Sequence, residues 1–196
     1  MKGGKESALV RCGWVGSGDL YVRYHDREWG TPEHRDRVLF EFLVLESAQA
    51  GLSWITILRK REAYRAAYDN FEPGHVARYG EKEKAALLSN PGIVRNRLKI
   101  ESSINNARRF LEVQEEFGSF DAYLWSWVDG KPVVGKWKSI DEVPVFTDLS
   151  TTLSKNLKSR GFTFLGPTIV YSYLQATGVV NDHVTSCFRF KELARV

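Results

Sequence analysis

Both cysteines of this 196-residue chain, and two of its four histidines, lie near its two ends. Cys12 and His25 make a C-x12-H pair near the start, and His183 and Cys187 an H-x3-C pair near the end. Two thiolates and two imidazoles suit tetrahedral Zn2+, and four protein ligands leave no position for a substrate water. Such a site would be structural, one zinc stapling the two ends of the chain together, and a zinc hydrolase is disfavoured on the same ground. The spacing is not that of a standard zinc finger. Three other readings stay open at this point: ordinary buried cysteines, a disulfide, and histidines satisfied inside the core.

Between the two half-sites the hydrophobic pattern is helical, and period-two alternation is scarce, so the class is all-α. Residues 35–51 are too long a run for one strand and end at Gly51, and 53–68 begin with Ser53 as an N-cap. Pro73 opens a short helix and 81–89 form another. In 95–117, Ile100, Ile104, Ala107 and Leu111 repeat at helical spacing, with charges outside. Ser119 caps the segment FDAYLWSW, and 131–144 read as loop with at most a short extended piece. Gly161 stops a helix over 148–161, Pro167 opens the next, and Gly178 stops that one. Residues 1–10 read as a disordered tail ahead of a single domain over 11–196.

A net charge of +4, a pI near 9.0 and 13% aromatic residues lean toward a polyanionic partner whose bases can stack on rings. The polar N-terminus lacks the apolar run of a signal peptide, and no apolar stretch reaches membrane-span length. The expectation is a soluble, cytoplasmic protein.

Glu46 is the most informative carboxylate. It follows Leu39, Phe42 and Leu43 on one helical face, where a bare charge must be partnered or functional. Next comes AGLSW, a tight turn carrying Leu52 and Trp54. Leu52 is either core or, at a DNA-facing turn, a wedge into the base stack. Trp14, Tyr21, Tyr24 and Trp29 surround the first cysteine–histidine half-site, either as core or as walls for a flat, electron-poor ring. The connection RGFTFLGPT, with Gly161, Gly166 and Thr168, is either a plain helical hairpin or one whose amides grip a DNA phosphate.

RCGWV, YHDREWG, QAGLSWITIL, RGFTFLGPTIVYSYLQATG and NDHVTSC, in this order, closely resemble the 3-methyladenine DNA glycosylase I family. The resemblance runs from about Arg11 to Cys187. It implies a helix-hairpin-helix glycosylase fold of two helical lobes, with the active-site cleft between them. It implies one structural zinc on Cys12, His25, His183 and Cys187. It further implies hydrolytic excision of N3-methyladenine from alkylated double-stranded DNA by a monomer in the bacterial cytosol. Carried over by motif, Glu46 and Tyr24 hydrogen-bond the flipped base, Trp54 stacks on it, and Leu52 fills the gap in the duplex.

Glu46 is thereby the expected catalytic carboxylate of an anionic, aromatic pocket. Two departures bear on specificity: Ser47 and Ala48 follow Glu46 where the family usually has glycine next, and the loop around PVVGKWKS matches poorly. Asp182, in VVNDHV, lies where many helix-hairpin-helix glycosylases carry a catalytic Asp. The family resembled lacks that residue, so Asp182 is not given the role. The competing reading is a zinc-stapled DNA-binding or lesion-sensing protein without catalysis, which would have no need of Glu46 beside Trp54.

Overall fold

A computed structural model describes residues 9–194, and α-helices carry most of them: α1 (Asp19–Arg27), α2 (Asp36–Gln49), α3 (Trp54–Ala67), α4 (Pro73–Val76), α5 (Glu81–Ser89), α6 (Arg97–Phe117), α7 (Phe120–Ser126), α8 (Asp148–Ser159), α9 (Pro167–Ala176) and α10 (Phe188–Leu193). Two short strands, β1 (Val133–Val134) and β2 (Val180–Asn181), pair in parallel, with Val133 opposite Val180 and Val134 opposite Asn181. Of the expected loose tail, residues 1–8 lie outside the described residues. Leu9 and Val10 are exposed, and the Val10 carbonyl accepts from the Phe188 amide at 2.9 Å.

The helix α2 runs through the middle of the core. Every residue from Val38 to Ala48 is buried, and α3, α6, α7 and α9 all pack around it. The sequence reading placed Glu46 on one apolar stripe, but α2 has no solvent-facing side over this span. An all-round apolar helix is what a core centre requires. Its end matches expectation: Gly51 takes φ +80°, a left-handed conformation that closes the helix.

Capping chemistry fixes several other boundaries. The Asn96 side chain accepts from the Lys99 amide at the start of α6, and Ser119 accepts from Ala122 at the start of α7. Ser53 does stand at the N-cap of α3, yet its hydroxyl bonds Thr56 Oγ1 at 2.8 Å instead of a backbone amide. On α6 the buried stripe is Ile100, Ile104, Ala107, Phe110 and Val113, and Leu111 is only half-buried. Phe110 stacks on Phe120 at 4.1 Å between ring centroids and so joins α6 to α7.

The two chain ends meet at the turn after α9. Gly178 has φ +73°, and a Cβ there would lie 2.3 Å from the Thr31 carbonyl carbon. Only glycine fits both the conformation and the approach. The turn thus presses residues 178–187 against the segment after α1, which places His183 beside Trp29.

Candidate active site

Cys12, His25, His183 and Cys187 are fully buried together, and their donor atoms all lie within 4.8 Å of one another. Both cysteines are free, which removes the disulfide alternative. The Sγ of Cys187 is 3.4 Å from His25 Nε2 and 3.5 Å from His183 Nδ1, and Cys12 Sγ is also 3.5 Å from His183 Nδ1.

The outer nitrogen of each imidazole is engaged elsewhere. His25 Nδ1 meets Asp26 at 2.8 Å, and His183 Nε2 meets the Trp29 carbonyl at 3.0 Å. Donation of those two N–H groups fixes both tautomers and turns the remaining lone pairs toward the thiols. Arg11 holds Asp26 through Nε and Nη2 at 2.8–3.1 Å and keeps its carboxyl below the usual range. The cluster can hold a metal ion.

The rings of Trp14 and Trp29 join this cluster to a cavity of about 490 Å³. Trp29 sits edge-on to His183 at 4.6 Å, and Trp14 meets Trp29 at 5.0 Å and Tyr21 at 5.5 Å. All six residues expected around a base pocket (Trp14, Tyr21, Tyr24, Trp29, Glu46 and Trp54) line it. Tyr24 and Trp54 lie 5.5 Å apart, with their rings tilted by 51°. Tyr21 accepts from the Ile55 amide at 3.1 Å and so pins the first turn of α3, which carries Trp54. Trp54 Nε1 is buried and has no partner among the described residues.

Glu46 is 4% exposed, and its carboxyl makes no hydrogen bond or ion pair with any described residue. Burial alone pushes it up to about 8. The expected anionic pocket therefore holds its proton at neutral pH while empty, and a cation entering beside it would draw the group back to its ionised form. Tyr24 is shifted up as well, first by burial and then by the nearby Glu46 charge, so its hydroxyl stays a donor.

Two walls of the cavity were not anticipated from the sequence. Gln49, Tyr171 and Gln175 supply polar groups from α2 and α9, and Ile140, Val143 and Val145 supply an apolar lip. Gln49 is one turn beyond Glu46, so helical spacing could have found it. The α9 and lip residues lie about a hundred positions away in sequence, and nothing local marks them.

Leu52 is 41% exposed at the turn between α2 and α3, in a shallow recess next to the cavity that also touches Glu46 and Thr168. Gly161 takes φ +86°, which accounts for glycine there. Gly166 has an ordinary φ of −69° and open space where a Cβ would project, so nothing inside the fold requires glycine at that position.

Asn106 grips the connection between α8 and α9 from behind: it accepts from the Thr163 amide and donates to the Thr163 carbonyl, both at 2.9 Å. The amides of residues 164–166, 168 and 169 have no partner among the described residues. Thr168 stands at the start of α9 and lines the cavity as well.

The methyladenine glycosylase family model matches residues 14–190. The chain is 48% identical to the DNA-3-methyladenine glycosylase 1 of Escherichia coli K12 over 179 residues, 91% of this chain and 96% of that protein. It is 43% identical to the DNA-3-methyladenine glycosylase of Haemophilus influenzae, with the same coverage. Its fold superposes on 3-methyladenine DNA glycosylase I from Staphylococcus aureus, solved to explain 3-methyladenine recognition. The TM-score is 0.89 at 40% identity, covering 93% of this chain and 97% of that one. With a matched segment that takes in His25, His183 and Cys187 of the cysteine–histidine cluster, the aromatic cavity and the α8–α9 connection, this chain belongs to the methyladenine glycosylase family.

Proposed function

We propose that this protein is a base-excision repair glycosylase that hydrolyses the N-glycosidic bond of N3-methyladenine in alkylated double-stranded DNA. One observation carries the reading: an unpartnered buried carboxyl, Glu46, in a ring-lined cavity. A protein that grips only the duplex backbone gains nothing from that arrangement, whose burial cost a base in the cavity offsets.

The target nucleotide leaves the stack at a cost of roughly a few kcal/mol. Leu52, exposed beside the cavity mouth, fills the space it vacates. The α8–α9 connection acts as a helix-hairpin-helix grip: its free amides around Gly166 bind a backbone phosphate, and the absent side chain leaves room for that approach. In the cavity the cationic base stacks on Trp54, worth about 0.5–2 kcal/mol. Glu46 ionises against it, and neutral adenine gains little from either group. A water oxygen bonds to C1′ as the bond from C1′ to the base breaks. The bonding pair returns to the ring and neutralises it, and one water proton goes to solvent. No protonation of the leaving base is needed.

A structural zinc fits the four-residue cluster. Zinc–sulfur bonds of about 2.3 Å and zinc–nitrogen bonds of about 2.0–2.1 Å in a tetrahedron put sulfur and nitrogen about 3.6 Å apart. The observed separations are 3.4–3.5 Å. A closed four-ligand site supplies no reaction chemistry, and its contribution is to hold residues 12–29 against 183–187. Elemental analysis should give about one zinc per chain, and Cys187→Ser should lose both the metal and much of the stability. A metal-free preparation of unchanged stability would refute the zinc reading.

Among the described residues no helix is long and apolar enough to cross a membrane. On the glycosylase reading the protein acts as a monomer on cytoplasmic DNA. The deciding assay is release of free 3-methyladenine from methylated duplex, corrected for spontaneous loss. Salt-sensitive duplex binding without base release would identify a non-catalytic lesion sensor.

A further inference from the structure

Asp182 is 2% exposed, and three side chains converge on it. Trp137 Nε1 donates to one oxygen at 2.6 Å, and the Tyr171 hydroxyl and Gln175 Nε2 both donate to the other, the amide at 2.8 Å. The fold makes room for this convergence. A Cβ on Gly135 would lie 2.3 Å from both Asp182 Oδ1 and Trp137 Nε1, so only glycine lets the loop pass there. The pairing of β1 with β2 sets the loop at that height. Both oxygens are engaged inside the fold, and Asp182 is not among the residues that line the cavity.

All three contacts run from a donor to a carboxylate oxygen, so Asp182 acts here as an acceptor. Gln175 must therefore turn its NH2 toward Asp182 and its carbonyl oxygen away, and Tyr171 must spend its one proton on the same carboxylate. Gln175 and Tyr171 both line the base cavity, and Gln175 Oε1 has no partner among the described residues.

We propose that Asp182 is a positioning residue that sets the hydrogen-bonding sense of the α9 wall, so that Gln175 Oε1 offers an acceptor to N–H groups of the base and the wall discriminates against carbonyl-bearing purines. The choice of ligand rests on the glycosylase reading. The wall's polarity rests on the three hydrogen bonds alone. Asp182→Asn breaks the constraint, because an amide both donates and accepts and lets Gln175 turn over.

The test uses two free bases that differ in one group, 3-methyladenine with a 6-amino group and 3-methylhypoxanthine with a 6-oxo group, titrated by tryptophan fluorescence. The parent is expected to prefer the amino base by roughly tenfold or more, because a buried acceptor facing a carbonyl is left unpaired. Asp182→Asn, at unchanged metal content, should bring that ratio close to one. Gln175→Met, which deletes the acceptor and leaves Asp182 in place, should do the same and decides the matter if Asp182→Asn does not fold.

A parent without the preference overturns the proposal. So does a folded variant that weakens both bases in proportion, since that is what a merely structural residue would do. Excision of 3-methyladenine from methylated DNA by the parent is measured alongside. Its absence would refute the glycosylase reading and leave the wall's polarity to the binding ratio.

Discussion

Glu41 and Glu46 stand five positions apart on α2, at 1% and 4% exposure, and their surroundings differ completely. Glu41 Oε1 accepts from Arg61 Nε at 2.5 Å and from Arg65 Nε at 3.0 Å, and Arg61 also bonds Glu28 at 2.6 Å. The Arg61 guanidinium lies over the Phe42 ring at 5.0 Å. Glu46 has none of this. A buried carboxylate met by two guanidiniums is accounted for by the fold itself. One met only by rings and an open cavity is accounted for by a ligand. From sequence the two are alike, each a Glu within an apolar run, and what separates them is supplied by α3. That helix brings Arg61 and Arg65 to one, and Trp54 to the other.

The largest effect should come from breaking the satisfied member. Glu41→Gln leaves Arg61, itself 7% exposed, short of its main partner. Removing one side of a buried pair costs about 3–5 kcal/mol. The lower end applies here because Glu28 still holds Arg61. Denaturant unfolding should record that loss, while excision per folded molecule stays at the parent's rate. Unchanged stability would mean that Glu41 is as idle as Glu46 and would dissolve the contrast.

Glu46→Gln should do the reverse. Losing a hydrogen bond to a charged partner is worth about 1.5–3 kcal/mol, so single-turnover excision should slow by roughly ten- to a hundredfold. Stability should move with pH. The folded carboxyl is raised from 4.5 to about 8, so folding gains from this group below pH 4.5 and loses that gain as pH climbs to 8. The Gln variant should match the parent in acid and exceed it by a few kcal/mol above pH 8. In the parent, binding of a cationic base below pH 8 should expel a proton and tighten as pH rises. A variant with parental excision and a flat stability difference across pH would make Glu46 a structural carboxylate.

Much of the molecule was legible because its signals are local. Ser119, Gly161 and Gly178 act within one turn of their own positions, and the helices they bound fall where capping and periodicity put them. Cys12, His25, His183 and Cys187 were legible by residue type and by resemblance, and Glu46 with Trp54 by their place around a recognisable turn.

What stayed hidden depends on distant partners. The short helix α1 has mostly polar residues and no side-chain cap, and it is held by the rings of Trp14, Trp29 and Trp54 around Tyr24 and His25. The β1–β2 pair joins segments nearly fifty residues apart, with only two residues in each strand. Tyr171 and Gln175 look like one ordinary helical face until Asp182 and the cavity are brought to opposite sides of them.

The smallest expected effect lies next to Glu46 itself. Ser47 departs from the glycine usual in the family, and a side chain aimed at the cavity from that position would narrow it. The structure turns its side chain elsewhere: Ser47 is buried, is absent from the cavity lining, and donates to the Leu43 carbonyl one turn back at 2.8 Å. A hydroxyl used in that way satisfies itself within the helix and asks nothing of a ligand. Ser47→Gly should therefore remove one local bond and add backbone freedom in mid-helix, at a cost of about 0.5 kcal/mol. A careful thermal melt should register that small loss, and excision and base selectivity should stay at parental values. A severalfold change in excision would show that residue 47 sets the direction in which α2 presents Glu46. The empty surroundings of that carboxyl would then depend on the helix's exact course as well as on the partners α3 supplies.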